Sequence, residues 1–171
     1  MIVVLMGVSG SGKTTIGMAL AERAGAVFAD ADDFHPDANK QKMAAGHPLN
    51  DADRQPWLET LNGLMRGWFA AGTRGVLACS ALKQRYRETL AADMPQGAVR
   101  FVLLEAPRQL IAERLAERHH EFMNPALLDS QFKTLEPPAE DDPDAFTVVN
   151  DKTPSEVAEE ILQHLGTGGN L

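Results

Sequence analysis

Residues 7–14 read Gly-Val-Ser-Gly-Ser-Gly-Lys-Thr, a spacing suited to holding phosphate. Gly7, Gly10 and Gly12 open backbone conformations closed to other residues and let N–H groups approach an anion closely. Those groups, together with the N–H groups of Ser9 and Ser11, converge at the positive end of the following helix. Lys13 adds a mobile cation for the outer phosphates, and Thr15 follows Thr14 in the binding segment. The Thr14 hydroxyl can ligate Mg²⁺, which usually keeps waters and substrate phosphates as its other ligands. A kinase acting on a hydroxyl also needs a group to orient or deprotonate that hydroxyl, and carboxylates near its metal. Asp30-Ala31-Asp32 can supply both, although Asp33 follows directly and aspartate is common in loops.

Two further stretches carry charge of useful geometry. Within Asn50–Trp57, Asp51 or Asp53 reads as a helix cap or first-turn charge. Arg54 offers a planar fork suited to a carboxylate. Cys79–Arg87 runs from a strand end into a basic helix start with Lys83, Arg85 and Arg87. Cations there oppose the helix dipole, so they are not placed for helix stability alone. A ligand anion would rationalise them, and solvated surface charge is the other reading.

These residues need a scaffold that brings them together. Strand-like runs at Ile2–Met6, Val27–Asp30, Gly75–Cys79, Val99–Leu104 and Phe146–Val149 alternate with helical patterns. Several are short and Val-rich, as in strands covered on both faces, and the alternation predicts a parallel sheet in an α/β fold. The loop, the aspartates and the Cys79 segment all fall at carboxyl ends of strands, where open α/β sheets bind ligands. Trp57, Leu58, Leu61, Leu64, Met65, Trp68 and Phe69 form the stripe of a core helix, with Gly72 as its stop. Thr153-Pro154-Ser155-Glu156 is a capping box for a helix burying Val157, Ile161, Leu162 and Leu165, with Gly166 as its expected end. Pro107 opens another helix, with Arg114 and Arg118 on one face. The long excursion from His119 to about Pro143 is expected to be a lid, with a short helix over Leu127–Phe132.

The 171 residues suit one domain, 1–171, and 44% apolar content suits a folded one. A net charge of -8 without a basic stripe argues against nucleic-acid binding. No secretory signal and no membrane-length apolar run is evident, so the expectation is a cytoplasmic protein. Cys79 is the sole cysteine, which excludes an intrachain disulfide, and it reads as a small buried residue. The third strand ends in Cys79-Ser80 rather than aspartate, which counts against motor ATPases and most GTPases. Asn39-Lys40 lacks the aspartate two residues on that guanine recognition uses. A small phosphotransferase using ATP remains.

At these residues the chain resembles the gluconate kinase (gluconokinase) family of small P-loop kinases. The matching stretches are the loop at 7–14, D-A-D-D-F-H-P at 30–36 and N-K-Q-K-M-A-A-G-H-P-L-N-D-A-D-R-Q-P-W-L at 39–58. C-S-A-L-K-Q-R-Y-R at 79–87 and L-L-D-S-Q-F-K-T-L-E-P at 127–137 continue them in family order. The resemblance implies ATP-dependent phosphorylation of D-gluconate at its 6-hydroxyl, Mg²⁺ and, commonly, a homodimer. It implies the P-loop kinase fold, a five-stranded parallel sheet of order 2-3-1-4-5 flanked by helices, with a mobile lid at roughly 118–143. On it, Gly10, Gly12, Lys13 and Thr14 would hold phosphates and metal, and Asp30 would sit near the metal. Asp32 would bind the substrate as candidate base, Arg54 would grip it, and Lys83 and Arg87 would line its pocket. Arg114 and Arg118 would approach adenine or phosphates. His35 matches the family's His-Pro motif, with a structural hydrogen bond and a substrate contact both open. The family's lid pattern R-x-x-x-R-x-x-H-F has Glu121 here in place of its histidine, so His119, His120 and Glu121 receive no role. A kinase of another small hydroxy acid, shikimate-like or another sugar acid, and a non-catalytic nucleotide-binding module are the alternatives.

Overall fold

The structure, a computed structural model, describes residues 1–117 and 125–167. Its strands are β1 (Ile2–Met6), β2 (Val27–Asp30), β3 (Gly75–Ala78), β4 (Val99–Glu105) and β5 (Ala145–Val149). They pair in parallel in the order β2-β3-β1-β4-β5, the order implied by the resemblance. β1 is the central strand, with Val3 opposite Val76 of β3 and Leu5 opposite Val102 of β4.

Alternation along β1 divides the core into two layers, because successive side chains leave a strand on opposite faces. Ile2, Val4 and Met6 pack with Trp57, Leu58, Leu61 and Met65 of α3 (Asp51–Ala70) and with Tyr86 and Leu90 of α4 (Gln84–Ala91). Val3 and Leu5 pack with Ile16 and Leu20 of α1 (Lys13–Ala24) and with Val157, Ile161 and Leu165 of α7 (Pro154–Thr167). Burial on both faces explains the apolar strand runs. A third cluster joins Val8, Leu82, Ile111, Leu115 and Leu128. It ties the phosphate-type loop to α5 (Arg108–Glu117) and α6 (Pro125–Thr134). Among the described residues, no helix is long and apolar enough to cross a membrane.

The departures from expectation are local. α2 (Asp37–Ala44) has no counterpart in the sequence reading, because it lacks an apolar stripe and buries only Asn39. α6 spans ten residues rather than six. Gly166 does not end α7, which continues to Thr167. Phe69 belongs to the apolar stripe of α3 by spacing but lies near its carboxyl end and is 40% exposed.

Candidate active site

The loop after β1 bends through positive φ at Gly7 (140°), Gly10 (78°) and Gly12 (97°). These are conformations that side-chain-bearing residues rarely adopt. Gly12 caps α1 without a side-chain hydrogen bond. The first-turn N–H groups of α1 are therefore available to a ligand, at the positive end of its dipole. Lys13 folds back over the loop, its Nζ donating to the carbonyls of Gly7 and Val8 at 3.0 Å each. Three distant elements hold the loop. The Gly7 N–H donates to the Ser80 carbonyl at 3.2 Å. Asn150, buried just after β5, donates from Nδ2 to the Ser11 carbonyl at 2.7 Å, and a Cβ at Gly12 would collide with its amide. Gln131 of α6 accepts the Ser9 N–H through Oε1 at 2.7 Å. Arg114 approaches the Asn150 carbonyl at 3.4 Å through Nη2, while its buried Nη1 has no hydrogen-bond partner among the described residues. Among those residues the hydroxyl of fully buried Ser11 also has none. Thr15 is exposed on the first turn of α1.

A cleft of about 210 Å³ lies over the loop, lined by Ser9, Gly10, Gly12, Lys13 and Thr14. Asp30, Asp32, Ser80 and Gln131 complete its wall. Asp30 accepts the Thr14 hydroxyl at Oδ2 (2.7 Å) and the Asp32 N–H at Oδ1 (3.1 Å). These hard oxygen donors suit a small divalent cation that takes its remaining ligands from phosphate and water. Among the described residues no group of three or more His, Cys, Asp or Glu forms a self-sufficient cation cage. Asp32 extends into the cleft with its side chain 86% exposed, 3.8 Å from His35 Nε2. The His35 ring lies against Trp57, centroids 4.3 Å apart and planes within 15°. Cys79 also reaches this wall, but burial pushes its thiol up to about 12, so it remains a protonated core residue.

The second cavity, about 370 Å³, adjoins the first and shares Ser80 and Gln131 with it. Its polar lining includes Asn50, Asp51, Arg54, Lys83 and Tyr86. Asn50 caps α3 by accepting the Asp53 N–H, and Asp53 accepts the Asn50 N–H, both at 2.8 Å. The cap is therefore Asn50, with Asp51 and Asp53 in the first turn. Asp51 accepts hydrogen bonds from the Tyr86 hydroxyl, from Lys83 Nζ at 3.0 Å and from Arg85 Nη1 at 2.9 Å. The Tyr86 hydroxyl first, then Lys83, pulls its carboxyl down to about 2. Burial first, then Asp51, raises the Tyr86 hydroxyl, and the Asp51 hydrogen bond raises Lys83. Arg54 donates to the Leu49 carbonyl at 2.6 Å, with its guanidinium 5.8 Å from the Tyr86 ring centroid.

Lys13, Thr14, Asp30, Asp32, Arg54 and Lys83 thus meet along two contiguous cavities. Arg87 does not line the second one. It is buried, donating to Gln84 Oε1 (2.6 and 3.1 Å), the Glu136 carbonyl (2.9 Å) and the Ala81 carbonyl (3.3 Å). Arg118, His119, His120 and Glu121 lie outside the described residues. The basic start of α4 finds its counter-charges within the chain. Asp51 pairs with Lys83 and Arg85, and Glu136 Oε2 accepts the Gln84 N–H at 2.7 Å. Sequence reasoning missed Asn50, Tyr86, Gln131 and Asn150. Only Asn50-x-x-Asp53 carried a readable signal, a capping pattern.

A family model described as an AAA domain matches residues 2–138. A gluconokinase of Gluconobacter oxydans is 45% identical, over 94% of this chain and 89% of its own. A probable gluconokinase of Dictyostelium discoideum is 43% identical, over 96% and 86%. The crystal structure of a gluconokinase from Sinorhizobium meliloti superposes with a TM-score of 0.83 at 38% identity, covering 96% of this chain and 91% of that one. With identity of this order along nearly its whole length and a phosphate loop beside a cation-lined cavity, the chain belongs to the gluconokinase family of small P-loop kinases.

Proposed function

We propose that this protein is a gluconate kinase that transfers the γ-phosphoryl of ATP to the 6-hydroxyl of D-gluconate. One observation carries the assignment of roles. The cavity bearing Arg54 and Lys83 adjoins the phosphate cleft and shares Ser80 and Gln131 with it, and Asp32 lines that cleft. A sugar acid has a carboxylate at one end and a primary hydroxyl at the other. Arg54 binds the carboxylate with its planar fork, and Lys83 supports it from a position already fixed by Asp51. The far hydroxyl then points towards the loop, where Asp32 orients it and accepts its proton as the bond to phosphorus forms.

The N–H groups of Gly10, Gly12 and the first turn of α1, with Thr14 and Thr15, cradle the phosphates, whereas those of Gly7, Ser9 and Ser11 are engaged by Ser80, Gln131 and Val8. Lys13 exchanges its two carbonyl partners for phosphate oxygens, a stronger charge-assisted pairing. Thr14 and Asp30 would hold Mg²⁺, which neutralises charge on the transferring group. Arg114 and Arg118 act on the nucleotide side, and residues 118–143 close as a lid that excludes water. The Gln131 contact with Ser9 supports that reading, because it links α6 to the loop. The single kinase domain works as a cytoplasmic homodimer.

A coupled ADP-release assay tests the substrate. Gluconate is expected to drive turnover, with shikimate, nucleoside monophosphates and other sugar acids far behind. Turnover of another acceptor with none of gluconate would sink the assignment. Asp32→Asn is expected to lower kcat by about a hundredfold or more while ATP binding holds. Near-normal turnover in that variant would remove Asp32 from the mechanism.

A further inference from the structure

We propose that His35 is a positioning residue for Asp32: held between Trp57 and Asn39, it presents an Nε2–H that sets the direction of the Asp32 carboxylate. The inference rests on the reading of Asp32 as the partner of the acceptor hydroxyl.

The two side chains differ in exposure. Asp32 is 86% exposed at its side chain, whereas the His35 side chain is 7% exposed. Proton transfer needs one direction of the carboxylate out of the rotamers a short side chain can adopt. His35 is fixed in plane and in rotation. Its plane is set by the stack on Trp57, which is itself anchored by Nε1 donating to the Ala31 carbonyl at 2.7 Å. Its rotation is set by Asn39, buried on α2.

Asn39 also decides the tautomer. Its Nδ2 donates to the Asp53 carbonyl at 2.9 Å, which settles the orientation of the amide, since the reverse would face two oxygens. The same Nδ2 lies 3.4 Å from His35 Nδ1 and has a second hydrogen to give. Nδ1 is then the acceptor, and in a neutral imidazole the proton sits on Nε2. Burial favours the neutral ring and lowers its pKa. Arg54 and Lys40 add to that effect, while Asp32 opposes it. The Nε2–H faces Asp32 Oδ1 at 3.8 Å. That is too long for a hydrogen bond, and a modest rotation of the exposed carboxylate closes it. Catalytic hydrogen bonds commonly tighten in this way when substrate arrives. The Asp53 carbonyl, Asn39 and His35 thus form a relay from the start of α3 that ends facing Asp32 at the phosphate cleft.

The test compares His35→Phe, which keeps an aromatic ring against Trp57 without the N–H, with His35→Gln, which restores an amide N–H. His35→Phe is expected to lower kcat at least about tenfold with KM for ATP little changed, and His35→Gln to recover most of the loss. In an Asp32→Asn background, His35→Phe should lower kcat no further. Unchanged kcat in His35→Phe, equal losses in the Phe and Gln variants, or the same loss with and without Asp32 would each overturn the proposal. ¹⁵N NMR of the wild-type protein gives a measurement independent of variant folding. A proton on Nε2 with bare Nδ1 is expected, and a proton on Nδ1 overturns the relay. Near-normal turnover in Asp32→Asn alone would instead remove the underlying reading of Asp32, which keeps the two failures apart.

Discussion

Arg54 and Lys83 border the same cavity, but they are held in different ways. Lys83 is paired with Asp51, whereas the Arg54 guanidinium donates to the Leu49 main-chain carbonyl. On the proposed reading, an incoming carboxylate would therefore gain a bidentate partner at Arg54 and only a shared one at Lys83. Arg54→Ala is expected to raise KM for the acceptor by the equivalent of about 2–5 kcal/mol, because a carboxylate taken into the cavity is left unpaired. Lys83→Met should cost clearly less, since Asp51 keeps Arg85 and Tyr86 as partners. Steady-state kinetics on the two variants check the order, and a larger loss at Lys83 would reverse the roles. Arg87 belongs to a different category. Its buried guanidinium serves the carbonyls of Ala81 and Glu136. Arg87→Met leaves those acceptors without a donor, an expected stability loss of about 1–3 kcal/mol by urea denaturation with acceptor KM nearly unchanged. A selective rise in KM would return Arg87 to the acceptor site.

At the scale of elements, the start of α3 concentrates more of the site than any one side chain. The capping box of Asn50 and Asp53 fixes where the helix begins. That start point sets the directions of Asp51 and Arg54 within the first turn. Lys42 of α2 strengthens the arrangement by binding Asp53 at 2.6 Å, which holds the Asp53 carboxyl below its ordinary range. Further along, Trp57 reaches back to Ala31 and supports His35, so the helix also braces the aspartate segment after β2. Asn50→Ala is expected to destabilise the fold by about 1 kcal/mol, the usual cost of a lost N-cap. It should also raise the acceptor KM, because the first turn frays beneath Arg54. Thermal melts and acceptor kinetics on the same preparation check this. A stability loss with unchanged KM would show that the cavity does not depend on the cap.

Over the whole molecule, what is legible in the sequence is what local chemistry dictates. The phosphate loop is readable because its glycines, lysine and threonine must sit at fixed spacing. The strands are readable because a sheet covered on both faces needs apolar residues at successive positions. Gln131 and Asn150 are unreadable for the complementary reason. Each is an ordinary amide whose importance comes from meeting a loop 122 or 139 residues away. Arg87 looks like a pocket cation until the fold turns it towards two carbonyls. The same long-range contacts make a prediction about how binding spreads. The loop shares an apolar cluster with Ile111 and Leu115 of α5 and Leu128 of α6, and its Ser9 N–H is held by Gln131. A ligand that immobilises the loop therefore removes local openings in which α6 swings away from it. Amide exchange in α6 depends on those openings, so it should slow at least about tenfold with a non-hydrolysable ATP analogue and gluconate present. The segment 157–165 packs on α1 and the sheet through Val157, Ile161 and Leu165, away from the cleft, and should change little. In Gln131→Ala the slowing of α6 should shrink while nucleotide still binds. If α6 slows equally in that variant, the apolar cluster rather than the Gln131 hydrogen bond carries the coupling.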